Sequence, residues 1–486
     1  YDEDDSLAVV KRVMERLVTA GRDFVKTLWN LPAGHRPPSL DDAAAEQRLK
    51  AILMARIRDP EDKESEAVWR ELRKGLPENP HLPLIVASKW GLVPPHYNYH
   101  LDQADYAGDA SWAEPFAPEA ERMAAAVAAL PEPAKADARY LSIDGPTTRD
   151  IDDAFAIHRA EGGVALSIAI ACPAFAWEFG SEMDRAVRDR ATSIYLPEGS
   201  LHMMPPALAT DIFSLCAGRT RPGLVLDFLL SDHGAVLRKD IRFAPVRVTR
   251  NITYQEAEEA IAAHDGADGA TGGASGDAKA ETADAAHLAL AARMAKALQE
   301  RRIECGAVII QRPEPEISLA GYPDETVVSI EVKGDTPQAQ LLVSEFMILA
   351  NEACALWAAE RGVALLHRTQ DMALPRELAG VWDEPLSIYR VVKQMGPTQL
   401  EPTPRPHRAL GLEAYAPSTS PLRRYPDLLN AAQLHAFLQT GTPPWDADGL
   451  SAMLPRLCAR LDAANLVQRV RPRNSKRVCV QQDAPS

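Results

Sequence analysis

Asp144-Gly-Pro-Thr-Thr-Arg-Asp150-Ile-Asp152-Asp153 sets four carboxylates on one short segment between two apolar runs. At an effective dielectric near 20, two unit charges about 4 Å apart repel by roughly 4 kcal/mol, so a fold that gathers them must protonate some or supply a cation. Tyr140-Leu-Ser-Ile143 has strand character before the cluster, and Ala154-Phe-Ala-Ile157 resumes the apolar pattern directly after it. A solvated turn or a helix N-terminus also welcomes acids, but core segments on both sides make solvation of these carboxylates the weaker reading. A calcium loop would alternate Asp and Asn around a central Gly and end on a distal Glu, a pattern absent here. A divalent metal is the favoured supplier. Hard oxygen ligands suit Mg²⁺ or Mn²⁺, which bind through one or two carboxylates and keep positions open for water and substrate phosphate.

The stretch Leu141 to Phe155 resembles the signature of the catalytic domain of ribonuclease II/R exoribonucleases. Three further blocks follow in that family's order: Arg190-Ala-Thr-Ser-Ile-Tyr195-Leu-Pro197, Glu345-Phe-Met-Ile-Leu-Ala-Asn351, and Gly411-Leu-Glu-Ala-Tyr415 running into Thr419-Ser-Pro-Leu-Arg423-Arg-Tyr-Pro-Asp427. The resemblance spans residues 136–438 and implies an α+β fold with a mixed-sheet, RNB-type catalytic domain. It also implies a 3′→5′ exoribonuclease that hydrolyses single-stranded RNA to nucleoside 5′-monophosphates with Mg²⁺, or Mn²⁺ in its place.

Residue roles follow from the same resemblance. Asp144 and Asp153 would ligate a Mg²⁺ that touches the scissile phosphate, with Asp150 and Asp152 completing the site, in one version around a second ion. Asp152 and Arg423 are the catalytic candidates, Arg423 offsetting charge that develops on the phosphate. Arg424 is its competitor for that contact. Tyr195 would stack on the base at the 3′ end, Glu345 would contact the terminal nucleotide through ribose hydroxyls, and Tyr415 would line the same pocket. Each has a structural alternative: a core tyrosine for Tyr195, an ion pair with a neighbouring Arg for Glu345, and a merely solvated guanidinium for Arg423.

Composition is compatible with this reading without suggesting it. The 486 residues carry 46% hydrophobic and 25% charged side chains, which predicts a globular protein of two or three domains. No apolar run approaches the ~20 residues of a bilayer span and no signal peptide is evident, so a cytoplasmic monomer is expected. Six scattered cysteines form no CxxC pair, which speaks against a zinc knuckle or a disulfide framework. A net charge of −15 is unusual for a protein that binds phosphates, but a channel lined by a few Arg residues is locally positive within an acidic surface.

Residues 1–95 read as a helical, helix-turn-helix-like domain: Ser6 caps one helix, Ser39 with Asp42 opens a second as a capping box, Val68, Trp69 and Leu72 mark a third, and Leu84 to Trp90 a fourth. Residues 96–135 read as a linker. His96 and His100 have helical spacing, but the adjacent prolines favour a packing role over zinc. Ala262 to Ala286 reads as a mobile loop, and 439–486 as a basic tail with Arg469, Arg471, Arg473, Lys476 and Arg477, the remnant of an S1-like RNA-binding domain. Three features depart from the family: Ile309-Ile310 where an aromatic is common, Ile170-Ala171-Cys172 where many relatives carry an Asp, and too few residues after Leu438 for an S1 barrel. The rivals to an exoribonuclease are a catalytically silent RNA-binding homologue and a nucleic-acid binder acting through the N-terminal helices.

Overall fold

In the computed structural model of the chain the described residues are 18–32, 34–94, 96–133, 139–265, 276–312, 316–322, 326–331 and 335–482; the side chains of 265, 276–282 and 474–482 are not described. The N-terminal part is helical, as its apolar spacing predicts. Helix α1 (18–30), α2 (Ala43–Arg58), α3 (Lys63–Leu72) and α4 (Leu82–Trp90) share a core of Phe24, Val25, Leu28, Leu49, Leu53, Trp69, Leu72 and Trp90. The expected Ser39/Asp42 capping box is not formed. Asp42 is itself the N-cap of α2 and accepts from the Ala44 and Ala45 N–H groups, satisfying two of the first-turn donors alone. The call on Ser6 lies outside the described residues.

Residues 96–133 are not a linker. They hold α5 (Tyr99–Gln103) and α6 (Ala117–Ala128), and Ala120, Met123 and Val127 of α6 are buried in the same cluster as the strands that follow. Strands β1 (Tyr140–Asp144), β2 (Asp153–Ala160) and β3 (Gly163–Ala171) come next, and after helix α7 (Glu182–Arg190) a short hairpin, β4 (Ile194–Leu196) and β5 (Gly199–Leu201), is inserted. The long strands β6 (Thr220–Leu230) and β7 (Val236–Thr253) complete a closed barrel in the order β1-β2-β3-β6-β7. Its pairs are antiparallel except β7 with β1, which is parallel and so makes the sheet mixed.

The period of two in these strands places alternate side chains on two cores. Phe155, Ile157, Leu166, Ile168, Leu224 and Leu226 join a cluster with α9 (Gly276–Glu304), which follows α8 (Tyr254–Asp265), and with α10 (Pro337–Glu360). Ala154, Ala156, Ala169 and Val225 face the other way, toward α6, α7 and α12 (Tyr425–Thr440), which follows α11 (Pro385–Val392). At about 1.5–3 kcal/mol for each fully buried large apolar side chain, these two clusters carry most of the stability. At the β2–β3 turn, a Cβ on Gly163 would lie 2.0 Å from the Leu230 carbonyl oxygen, so the barrel closes there only on glycine.

Two further expectations are corrected. The stretch read as a loop over Ala262 to Ala286 is helical on both sides of residues 266–275, which lie outside the described residues, and its Asp284 is buried between Arg139 and Arg250. Alanine-rich composition suits a helix as well as a loop, and the ion pairs decide for the helix. In the tail read as a remnant S1-like domain, 439–486, the described residues hold no strand and are mostly the single helix α13 (Ala447–Gln482). Helix α10 also has a stretch long and apolar enough to cross a bilayer, with a mean hydropathy of 1.4. It is 61% buried within the protein and carries the buried polar residues Glu345 and Asn351, which marks it as the central core helix.

Candidate active site

Register places the carboxylates together. Asp144 ends β1 opposite Thr253, and Asp153 begins β2, which pairs antiparallel with β1, so both lie at one end of the barrel. Asp150 and Asp152 stand on the connection between the two strands and are 5% and 4% exposed. That connection is fixed from below by Ser214, whose Oγ donates to the Arg149 carbonyl (2.6 Å) and accepts from the Ile151 N–H (3.0 Å).

The four acids have different surroundings. Asp152 Oδ1 accepts from the Leu422 N–H at 2.8 Å and Oδ2 from Arg423 Nε at 3.2 Å. Asp150 Oδ2 accepts from the Tyr195 hydroxyl. Asp144 retains a buried oxygen, Oδ2, without a hydrogen-bond partner. Burial, reinforced by the Asp150 charge, pushes the Asp144 carboxyl up to about 6, and burial with the Asp144 charge pushes Asp153 to about 7. Burial also drives Asp152 well above the ordinary range, against the pull of Arg423 and the Leu422 N–H. Such a set is poised for a cation, which would favour the ionised forms.

Among the described residues no three His, Cys, Asp or Glu side chains converge on one point. To a cation the protein would offer the partnerless oxygen of Asp144 and the neighbouring carboxylate of Asp153, with other positions left to water and substrate.

Two sequence blocks more than 200 residues apart are joined at this site. Thr192 Oγ1 and the Ser193 N–H both donate to the Arg423 carbonyl at 2.9 Å, and the Tyr425 N–H donates to the Ala191 carbonyl at 2.9 Å. Arg424, the competitor of Arg423, is committed elsewhere: its Nη2 lies 2.7 Å from Asp427 Oδ1, which also accepts from the Ser420 N–H. Arg423 is 43% exposed at the side chain and keeps donors free of Asp152.

Glu345 and Tyr415 are not drawn to the carboxylates. Glu345 is 2% exposed and makes a two-pronged pair with Arg302 of α9, at 2.5 and 2.9 Å, on the wall of a cavity of about 290 Å³. A lone buried acid on an apolar helix needs such a partner. Glu345→Gln is therefore expected to cost about 3–5 kcal/mol of stability, by leaving Arg302 without its countercharge; denaturant unfolding with a change below 1 kcal/mol would contradict the pairing. Tyr415 Oη accepts from Asn351 Nδ2 at 3.0 Å, and burial pushes its phenol up.

Asn351 and Tyr254 were missed as site residues. Asn351 donates to Thr419 Oγ1 and accepts from the Ser418 N–H, and so holds the segment leading to Arg423; its signal was a buried amide within the Glu345 block. Tyr254 directly follows Thr253, the partner of Asp144, and burial with the Asp153 and Asp144 charges pushes its phenol up to about 12. A tyrosine at a strand end carries no signal of its own.

At one end of the closed barrel, then, stand four aspartates with the Arg423 guanidinium against Asp152. The RNB domain model matches residues 136–440, and the chain belongs to the RNB domain family. An uncharacterized ribonuclease of Synechocystis is 30% identical over 334 residues, covering 68% of this chain and 47% of that protein. Exoribonuclease 2 of Edwardsiella piscicida is 29% identical over 362 residues, covering 68% and 54%. The chain thus spans about half the length of the curated relatives it matches. Among solved structures, the Dss1 exoribonuclease of Candida glabrata aligns with a TM-score of 0.78 at 20% identity, over 98% of this chain and 66% of that one. Yeast Ssd1, a pseudonuclease, aligns at 0.53 and 15% identity, over 71% and 44%. These two likenesses show the fold.

Proposed function

We propose that this chain degrades single-stranded RNA from the 3′ end, releasing nucleoside 5′-monophosphates, as a monomer in the cytoplasm with Mg²⁺ or Mn²⁺ as cofactor. The observation that carries the reading is the partnerless, buried Asp144 oxygen beside Asp153 at the barrel end, within the influence of Arg423. Exoribonuclease relatives in the same family support it. Since a pseudonuclease shares the fold, activity is argued from the aspartates and Arg423 and not from the barrel.

Asp144 and Asp153 would hold the cation. When bound it supplies charge neutralisation at the scissile phosphate and a more acidic water as nucleophile. Arg423, held by Asp152, presents its remaining donors to phosphate oxygens, where charge builds in an in-line displacement. Tyr195, tied through its hydroxyl to Asp150, offers a sequence-tolerant face to the terminal base.

The test is a 5′-labelled single-stranded RNA. It should shorten stepwise with mononucleotide release in Mg²⁺ and stay intact in EDTA; internal cuts, or shortening in EDTA, would overturn the proposal. At limiting Mg²⁺ the rate should rise between about pH 5.5 and 8, because Asp144 and Asp153 titrate near 6 and 7 and must be ionised to hold the ion. A flat profile there would count against these two ligands.

A further inference from the structure

The hairpin β4–β5, which carries Tyr195, lies inside the family match and is tied there to Asp150 and, through the residues leading into it, to the Arg423 carbonyl, yet further bracing comes from outside the match. From the segment before residue 136, the Tyr106 hydroxyl donates to the Thr192 carbonyl at 2.8 Å and lies 3.3 Å from the Leu201 carbonyl, bridging the two ends of the hairpin. Asn98 Nδ2 donates to Glu198 Oε1 at 3.1 Å, at the turn. From α13, beyond residue 440, Arg471 Nε donates to the same oxygen at 2.8 Å, with side chains only 7% and 12% exposed. One turn earlier on α13, Gln468 Oε1 accepts the Tyr195 N–H at 3.2 Å. Ala104 and Tyr106 from one flank and Ala464 and Val467 from the other close an apolar cluster around Ile194 and Leu196.

We infer that these flanks are a specificity device: Gln468, Arg471, Asn98 and Tyr106 are positioning residues that set where the Tyr195 ring stands, and hence the shortest RNA the site holds. The inference rests on the proposed function and deepens it. A three-residue strand with few ladder bonds has no rigidity of its own, so the placement of its aromatic depends on what clamps it. Tyr195 is fixed at two points, its hydroxyl on Asp150 and its N–H on Gln468, one from the catalytic connection and one from α13. Releasing the second lets the ring tilt while the carboxylates stay in place. Helix α13 therefore acts on substrate length and not on bond cleavage.

The experiment uses the full chain with single-stranded RNAs of graded length. Gln468→Leu keeps bulk and removes the acceptor, whereas Gln468→Glu keeps an acceptor oxygen. For Gln468→Leu we expect a longer limit product and a KM for short oligonucleotides raised about tenfold, the scale of a weakened base stack, with kcat within twofold. Gln468→Glu should restore the wild-type product length. Tyr106→Phe, which removes the hydroxyl and keeps the ring in its cluster, should shift product length in the same sense and serves if Gln468→Leu does not fold. Unchanged product length and KM in both Gln468→Leu and Tyr106→Phe would overturn the inference, as would equal loss in Gln468→Leu and Gln468→Glu. A wild-type chain that releases no mononucleotide in Mg²⁺ would overturn the function and the inference together.

Discussion

Asp152→Asn is expected to lower turnover by about a thousandfold or more while RNA affinity stays within a few fold of wild type. Asparagine matches the shape of aspartate, keeps an oxygen for the Leu422 N–H, and turns the second oxygen into an NH₂ group facing Arg423 Nε. Two donors then oppose each other across about 3 Å, and the guanidinium loses the charge that holds it at the barrel end. Binding along the rest of the RNA depends on other groups and should persist. Single-turnover kinetics on a labelled oligomer would measure the loss, and fluorescence anisotropy in EDTA the retained affinity. Activity above a tenth of wild type would show that Asp152 does not organise the site; a matching loss of affinity would show that it serves binding.

The carboxylate segment was legible because charge crowding between strands is a local signal, and the barrel confirms where those strands put it. The N-terminal helices were legible for a similar reason: Leu49, Leu53, Trp69 and Leu72 recur at helical spacing and meet in one core. What escaped were features decided by long-range pairing. Nothing in the residues around Arg471 says that it will bury its guanidinium against Glu198, so this member of a run read as a basic tail is paired inside the fold. Asp284 sits in an alanine-rich stretch of loop-like composition and is nevertheless enclosed by Arg139 and Arg250. Glu345 shows the converse. Its cost as a lone acid on an apolar helix was legible, while its partner, Arg302 on the preceding helix α9, was not. The hydrogen bonds of Asp150 to Tyr195 and of Asp152 to Arg423 join residues far apart in sequence and could not be read from the cluster itself.

Arg423→Lys is expected to reduce kcat by about a hundredfold or more with little change in KM. The guanidinium performs two tasks at once: Nε satisfies the buried Asp152 carboxylate while the rest of a side chain that is 43% exposed remains available to a phosphate. Lysine has one nitrogen on a flexible stem and cannot span both partners. If it pairs with Asp152, the phosphate loses its contact; if it reaches the phosphate, a carboxylate buried at 4% exposure is left without its countercharge. Either way the loss falls on the transition state, where charge on the phosphate oxygens is greatest, and so on kcat more than on KM. Arg424→Lys is the control, because Arg424 pairs with Asp427 within its own helix turn and should leave the chemistry within a few fold of wild type. Steady-state kinetics on single-stranded RNA separate the two. If Arg424→Lys proves the more damaging, or if Arg423→Lys stays within threefold of wild type, the guanidinium facing the scissile phosphate belongs to the neighbouring residue and the role assigned to the Asp152–Arg423 pair is wrong.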